Sequence, residues 1–171
     1  MLLIPVREAE TIVRRRALQV APALLPRDHG LAAHITLLAP FMPPEAIHDG
    51  VIGELDHFFA DVISFGYRLA EVCEFPSGPT YLAPEPSDIF RRLAHGLHRL
   101  FPEFPPYGGQ FGEIIPHLSV PLPDGEDTAS LRTALRRKLP IEAHATEAAL
   151  VWSAEEDTHT MATFTFGTTA A

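Results

Sequence analysis

Two short segments of the chain carry side chains suited to acid-base chemistry. One is Ala33-His34-Ile35-Thr36-Leu37-Leu38-Ala39-Pro40, the other Pro116-His117-Leu118-Ser119-Val120-Pro121-Leu122-Pro123. Each reads histidine, apolar residue, hydroxyl residue, apolar residue, and closes on a proline. In a strand, positions i and i+2 share a face roughly 7 Å apart. His34 therefore shares a face with Thr36, and His117 with Ser119, while Ile35, Leu37, Leu118 and Val120 point the other way, into a core. Two such strands facing one another would present two imidazoles and two hydroxyls across one pocket. An imidazole, with a pKa of about 6.5, is a base when neutral and an acid when protonated. In-line displacement at phosphorus needs one of each, on the entering and leaving sides, which His34 and His117 on opposite walls would supply. The hydroxyls of Thr36 and Ser119 could donate hydrogen bonds to the equatorial oxygens of the transition state. These four are the candidate catalytic residues, and which histidine is the base depends on how the substrate lies.

The bare spacing is not specific. With nine histidines in the chain, about one histidine-x-hydroxyl match arises by chance. His144-Ala145-Thr146 is that match: it is flanked by Glu142 and Glu147 and lacks both the apolar positions and the proline. The two extended matches instead sit at equivalent places in the order of elements. Together they resemble the paired signature of the 2H phosphoesterase superfamily, in particular its 2′-5′ RNA ligase-like branch. Phe104-Pro105-Pro106-Tyr107-Gly108-Gly109, leading into the second copy, resembles that branch as well, and the likeness covers most of the chain. It implies two similar lobes related by a pseudo-twofold, with antiparallel sheets facing a central cleft, helices outside and one motif from each lobe. It also implies opening of a 2′,3′-cyclic phosphate to a 2′-phosphomonoester, or the reverse, RNA 2′-5′ ligation. Where characterised members of the branch carry a basic residue beside an apolar strand, this chain has Ser77-Gly78-Pro79-Thr80-Tyr81-Leu82, which argues against direct RNA-end recognition.

Phe41, Tyr81, Tyr107 and Phe111 lie near the motif strands or on the loop before the second, where an aromatic ring could stack on a base. Packing in the core or the loop is the alternative for each. His29, close to the first motif, could line the cleft, whereas His95 and His98 read as surface positions on a polar helix face. No metal is expected, because the chain has no His-Glu-x-x-His, no His-x-His and no cysteine pair. No cofactor is expected either.

With 171 residues, 46% of them apolar and 20% charged, the chain reads as one globular domain, 1–171, with a sizeable core. The net charge of -9 opposes binding of a long duplex through its phosphates. Arg14-Arg15-Arg16, Arg91-Arg92 and Arg136-Arg137-Lys138 each read as a solvated helix face. The expected partner is a small cyclic nucleotide or an RNA end bearing a cyclic phosphate, bound by a monomer. A nucleotide- or RNA-binding module that only grips phosphate is the reading from another class. No run reaches the ~20 apolar residues of a membrane span. Cys73, the one cysteine, allows no internal disulfide, and a cytoplasmic location is expected.

The elements that must hold the motifs follow from apolar spacing and from prolines and glycines. The reading is a strand Leu2 to Val6, a helix through Ala9, Ile12, Val13, Ala17 and Val20, and the first motif strand, Ala33 to Leu38. Pro43-Pro44 opens a second helix, followed by strands Ser64 to Phe75 and Thr80 to Ala83. A third helix begins near Ser87-Asp88 with Ser87 as its N-cap and sends Phe90, Leu93, Leu97 and Leu100 inward. After the loop Phe101 to Glu113 come the second motif strand and a fourth helix within Asp124 to Leu139. Strands Glu142 to Trp152 and His159 to Phe166 close the chain, joined by the acidic turn Glu155-Glu156-Asp157. Strand, helix, motif strand, helix, strand, nearly twice over, is an α+β pattern of two similar lobes.

Overall fold

The structure, a computed structural model, describes residues 1–25, 28, 30–154 and 157–168. In chain order these form β1 (Leu2–Pro5), α1 (Glu10–Val20), β2 (His34–Leu38), α2 (Asp49–Ala60), β3 (Phe65–Glu74), β4 (Thr80–Glu85), α3 (Asp88–Leu100), β5 (Leu118–Ser119), α4 (Thr128–Leu135), β6 (Ile141–Ala145), β7 (Glu147–Ala154) and β8 (Asp157–Thr165). His29 and the turn residues Glu155 and Glu156 lie outside the described residues.

The eight strands make one antiparallel sheet in the order β6-β3-β4-β5-β2-β1-β7-β8. The two antiparallel halves expected from the sequence, β6-β3-β4-β5 and β2-β1-β7-β8, are thus parts of a single sheet. They join where the two motif strands pair, with Ile35 opposite Leu118. The last strand of each repeat crosses over: β3, after α2, pairs with β4, and β7 pairs with β1. The single closing strand expected from Glu142 to Trp152 is two strands, broken at Thr146, so that β6 lies in one half and β7 in the other. With only Thr146 between the two strands, the sheet has to curl to bring them together.

The core follows from alternation. Ile4, Ile35, Leu37, Leu82, Leu118 and Val120 are buried on one face. Onto that face the helices deliver Val51, Leu55 and Phe59 from α2, Phe90, Leu93 and Leu97 from α3, and Leu131 and Leu135 from α4. Phe59 stacks on Phe164 and Phe166, with ring centroids at 5.4 and 5.8 Å, and Phe65 of β3 meets Phe90 edge-on at 5.4 Å. Aromatic packing therefore spans both halves. Among the described residues no helix is long and apolar enough to cross a membrane.

Some local expectations are corrected. Pro43-Pro44 does not open α2: Pro44–Ala46 make one 3-10 turn, Ile47 returns to extended backbone, and the helix starts after His48, whose ring nitrogen accepts the Gly50 N–H at 3.1 Å. Ser87 precedes α3 but does not cap it through its side chain, because its own backbone is already helical (φ -90, ψ -17). Asp127 does cap α4, accepting the Ser130 N–H at 2.7 Å. Val20 and Leu100, the last residues of α1 and α3, are exposed. His98 is half-buried, with its Nδ1 buried and without a hydrogen-bond partner, and is not simply a solvated position.

Close packing of α2 on α3 is made possible by Gly96. A Cβ there would lie 2.7 Å from the Phe58 ring, so Gly96→Ala is expected to lower stability by about 1–3 kcal/mol through overpacking. Urea unfolding of the variant checks this, and an unchanged midpoint would refute the close approach.

Candidate active site

Ile35 and Leu118, both fully buried, are Cα partners in the β2–β5 pair. Carried one residue either way along antiparallel strands, this register sets His34 beside Ser119 and Thr36 beside His117, all on the face opposite the core. The two histidines are then diagonal neighbours, with Cα atoms ~7–8 Å apart. The motif strands, one from each lobe, are paired neighbours and do not face one another. They lie side by side at the seam of the sheet, and the four side chains stand on the face opposite the core. Among the described residues neither the Thr36 nor the Ser119 hydroxyl bonds another protein group, so both are available to a ligand.

Both imidazoles are oriented the same way. His34 Nδ1 lies 2.8 Å from the Leu31 carbonyl oxygen, and His117 Nδ1 2.7 Å from that of Ile115. A carbonyl only accepts, so each Nδ1 carries the hydrogen and donates it, leaving Nε2 as the nitrogen free for proton transfer. The surroundings differ. On the His34 side, Leu3, the strand partner of Thr36, packs with Leu31, Ala149 and Val151 in a small buried apolar cluster on the site face. Burial holds the His34 pKa below the ordinary imidazole value, the Leu31 carbonyl opposes this, and the nearby His117 adds to the lowering.

His117 stands instead among aromatic rings. Phe75 meets it edge-on at 5.0 Å, Tyr81 at 5.7 Å, and Tyr107 lies nearly parallel to it at 6.2 Å. Tyr81 is the strand partner of both Ser119 and Cys73, and it stacks on Phe75 at 4.2 Å. Tyr107 comes from the loop before the motif, held in the left-handed region at φ 53. Few residues other than glycine adopt that conformation, and it costs about 1 kcal/mol or more. Its N–H donates to the Ala39 carbonyl at 2.6 Å, which pins the loop to the end of β2.

Of the four aromatics singled out in the sequence, Tyr81 and Tyr107 stand beside His117. Phe111 extends this group through an edge contact with Tyr107 at 5.8 Å and is 64% exposed. Phe41 does not join them: it is buried against Phe101 and Phe104, at 5.1 and 5.3 Å, because its position just beyond the strand turns it into the core. Phase alone favoured Phe75, one alternation beyond Cys73 and so on the Tyr81 face, but sequence reasoning passed over it. A hollow of about 160 Å³ is lined by Ser119 together with Gly78, Pro79, Thr80 and Leu122 among others. A larger hollow of about 500 Å³ lies elsewhere, among Glu8, Glu85, Glu142, Arg68 and His144. Its three carboxylates would repel a phosphodiester.

A model of the 2'-5' RNA ligase superfamily matches residues 5–157. Among solved structures, TT0787 of Thermus thermophilus is 19% identical, with 99% of each chain covered and a TM-score of 0.62. E. coli LigT in apo form is 17% identical, covers 96% of this chain and 95% of its own, and has a TM-score of 0.57. LigT complexed with 3'-AMP gives the same identity and coverage with a TM-score of 0.56. At such identities the likeness is one of fold. No curated protein matches the chain.

Proposed function

The chain belongs to the 2'-5' RNA ligase superfamily of 2H phosphoesterases, and from that premise we propose that it is a phosphodiesterase that opens 2′,3′-cyclic phosphates without needing a metal. The observation that carries the reading is the pair of imidazoles with matched Nδ1 bonds, each beside an unengaged hydroxyl. His34 Nε2, its protonation disfavoured by burial, takes a proton from water as the water oxygen attacks phosphorus. The bond from phosphorus to O3′ breaks as His117 delivers a proton to O3′, leaving a 2′-phosphomonoester and a free 3′-hydroxyl. Thr36 and Ser119 donate hydrogen bonds to the equatorial oxygens, where charge builds up. Tyr107, Tyr81 and Phe111 offer ring surface for a base. A small ligand suits the net charge of -9 better than a long RNA does, and LigT, of the same fold, has been crystallised with 3'-AMP.

The test is hydrolysis of 2′,3′-cyclic AMP and of an RNA ending in a cyclic phosphate, with EDTA present. Turnover of either supports the reading; absence of turnover by folded protein that still binds nucleotide would replace it with a phosphate-binding module. The pH profile carries a sign. The base must be neutral, and His34 takes up its proton only below the ordinary imidazole pKa of about 6.5. The acidic limb of kcat/KM is therefore expected below that value, activity being lost as pH falls through it. A limb at or above the ordinary value would reverse the assignment of base and acid.

A further inference from the structure

We propose that Glu10, at the start of α1, is a positioning residue for His34, holding the turn whose carbonyl fixes the tautomer and direction of the ring. The proposal rests on the reading of His34 as the base. Glu10 Oε2 accepts the Ala33 N–H at 3.0 Å, and the nearby Gly30 amide also favours the ionised carboxylate. These two amides bracket Leu31, whose carbonyl accepts the His34 Nδ1–H. Ala33, immediately before His34, is fully buried, and its own carbonyl accepts the Val6 N–H at 2.8 Å. Both peptide groups of Ala33 are thus held before the motif strand begins, one by the carboxylate and one by the chain leaving β1.

The carboxylate is itself oriented, since Arg14 Nε donates to Oε1 at 2.7 Å, one helical turn on. Gly30, at φ +94, supplies in this turn a backbone conformation that residues with a Cβ rarely adopt. Three charged or titratable groups act on the His34 ring: His117, just before β5, and the Met1 amino group, just before β1, disfavour its protonation, and Glu10 favours it. Glu10 thus has two effects on His34, one through the turn it holds and one through its charge. The second motif has only the Ile115 carbonyl behind His117; its residues receive no carboxylate bond among the described residues.

Two variants separate these effects. Glu10→Gln keeps an acceptor for the Ala33 N–H and removes the charge; Glu10→Ala removes both. Ring 15N NMR of His34 reads tautomer and titration without any substrate. In Glu10→Gln the ring is expected to keep its hydrogen on Nδ1 while its titration moves to lower pH, the acidic limb of kcat/KM moving with it. In Glu10→Ala the ring is expected to populate both tautomers, and kcat to fall about tenfold with KM within about twofold, as for a misaligned base. A pure Nδ1–H tautomer with parental kcat in Glu10→Ala overturns the proposal, whereas an unmoved titration in Glu10→Gln removes only the effect of the charge. If the ring responds as stated but His34→Ala keeps full activity, Glu10 still positions the ring and it is the assignment of His34 as base that fails.

Discussion

Turnover of a 2′,3′-cyclic phosphate is expected to fall at least about 100-fold in His34→Ala and again in His117→Ala, the range for removal of one acid-base group. Neither substitution should unfold the protein. Both rings are only partly buried, and each bonds a single backbone carbonyl. The double variant is expected to be little worse than either single one, because a proton delivered at O3′ accelerates nothing when water is not activated on the other side. Melting temperatures within a few degrees of the parent, together with steady-state kinetics in EDTA, decide the matter. Retention of more than about a tenth of parental kcat/KM in either single variant would remove that histidine from the proton path. Nucleotide affinity measured on the same variants separates lost chemistry from lost binding.

The second large effect is on stability. Phe59→Ala is expected to cost about 3–5 kcal/mol, the range for emptying a buried aromatic site. Phe59 is fully buried and stacks on Phe164 and Phe166; Phe166 in turn stacks on Phe65, which meets Phe90 edge-on. One ring on α2 therefore helps to hold β8, β3 and α3 together, elements drawn from both halves of the sheet. Collapse into the cavity is restricted because its walls come from strands already fixed by pairing. A loss of this size is a large part of the 5–15 kcal/mol that stabilises an ordinary domain. Phe111→Ala, at a ring 64% exposed, should stay within about 0.5 kcal/mol and serves as the control. A Phe59→Ala urea midpoint close to that of the control would mean that the aromatic cluster is not what joins the halves.

Alternation alone placed His34 with Thr36 and His117 with Ser119, opposite Ile35, Leu37, Leu118 and Val120, because the side-chain period of a strand is a local property. Apolar spacing found Phe90, Leu93 and Leu97 on α3 for the same reason. It overreached at Val20 and Leu100, the exposed last residues of their helices. Spacing also let Glu142 to Trp152 run as one strand, since nothing in the local pattern says that a strand changes partner at Thr146.

What the tertiary structure decided are contacts between residues far apart in the chain. The pairing of Ile35 with Leu118 puts the motifs side by side instead of face to face. Phe75 and Tyr107 come to His117 from a strand end and a loop on different sides, and Phe41 goes to the core although it follows the motif directly. Glu10 reaches the turn before His34 across a loop that has no periodic pattern to follow. Residue types and spacing thus determined the chemistry each motif carries, whereas strand register and the curl of the sheet decided which side chains meet. Register is set by the summed burial of whole strands, to which no short segment of sequence gives access.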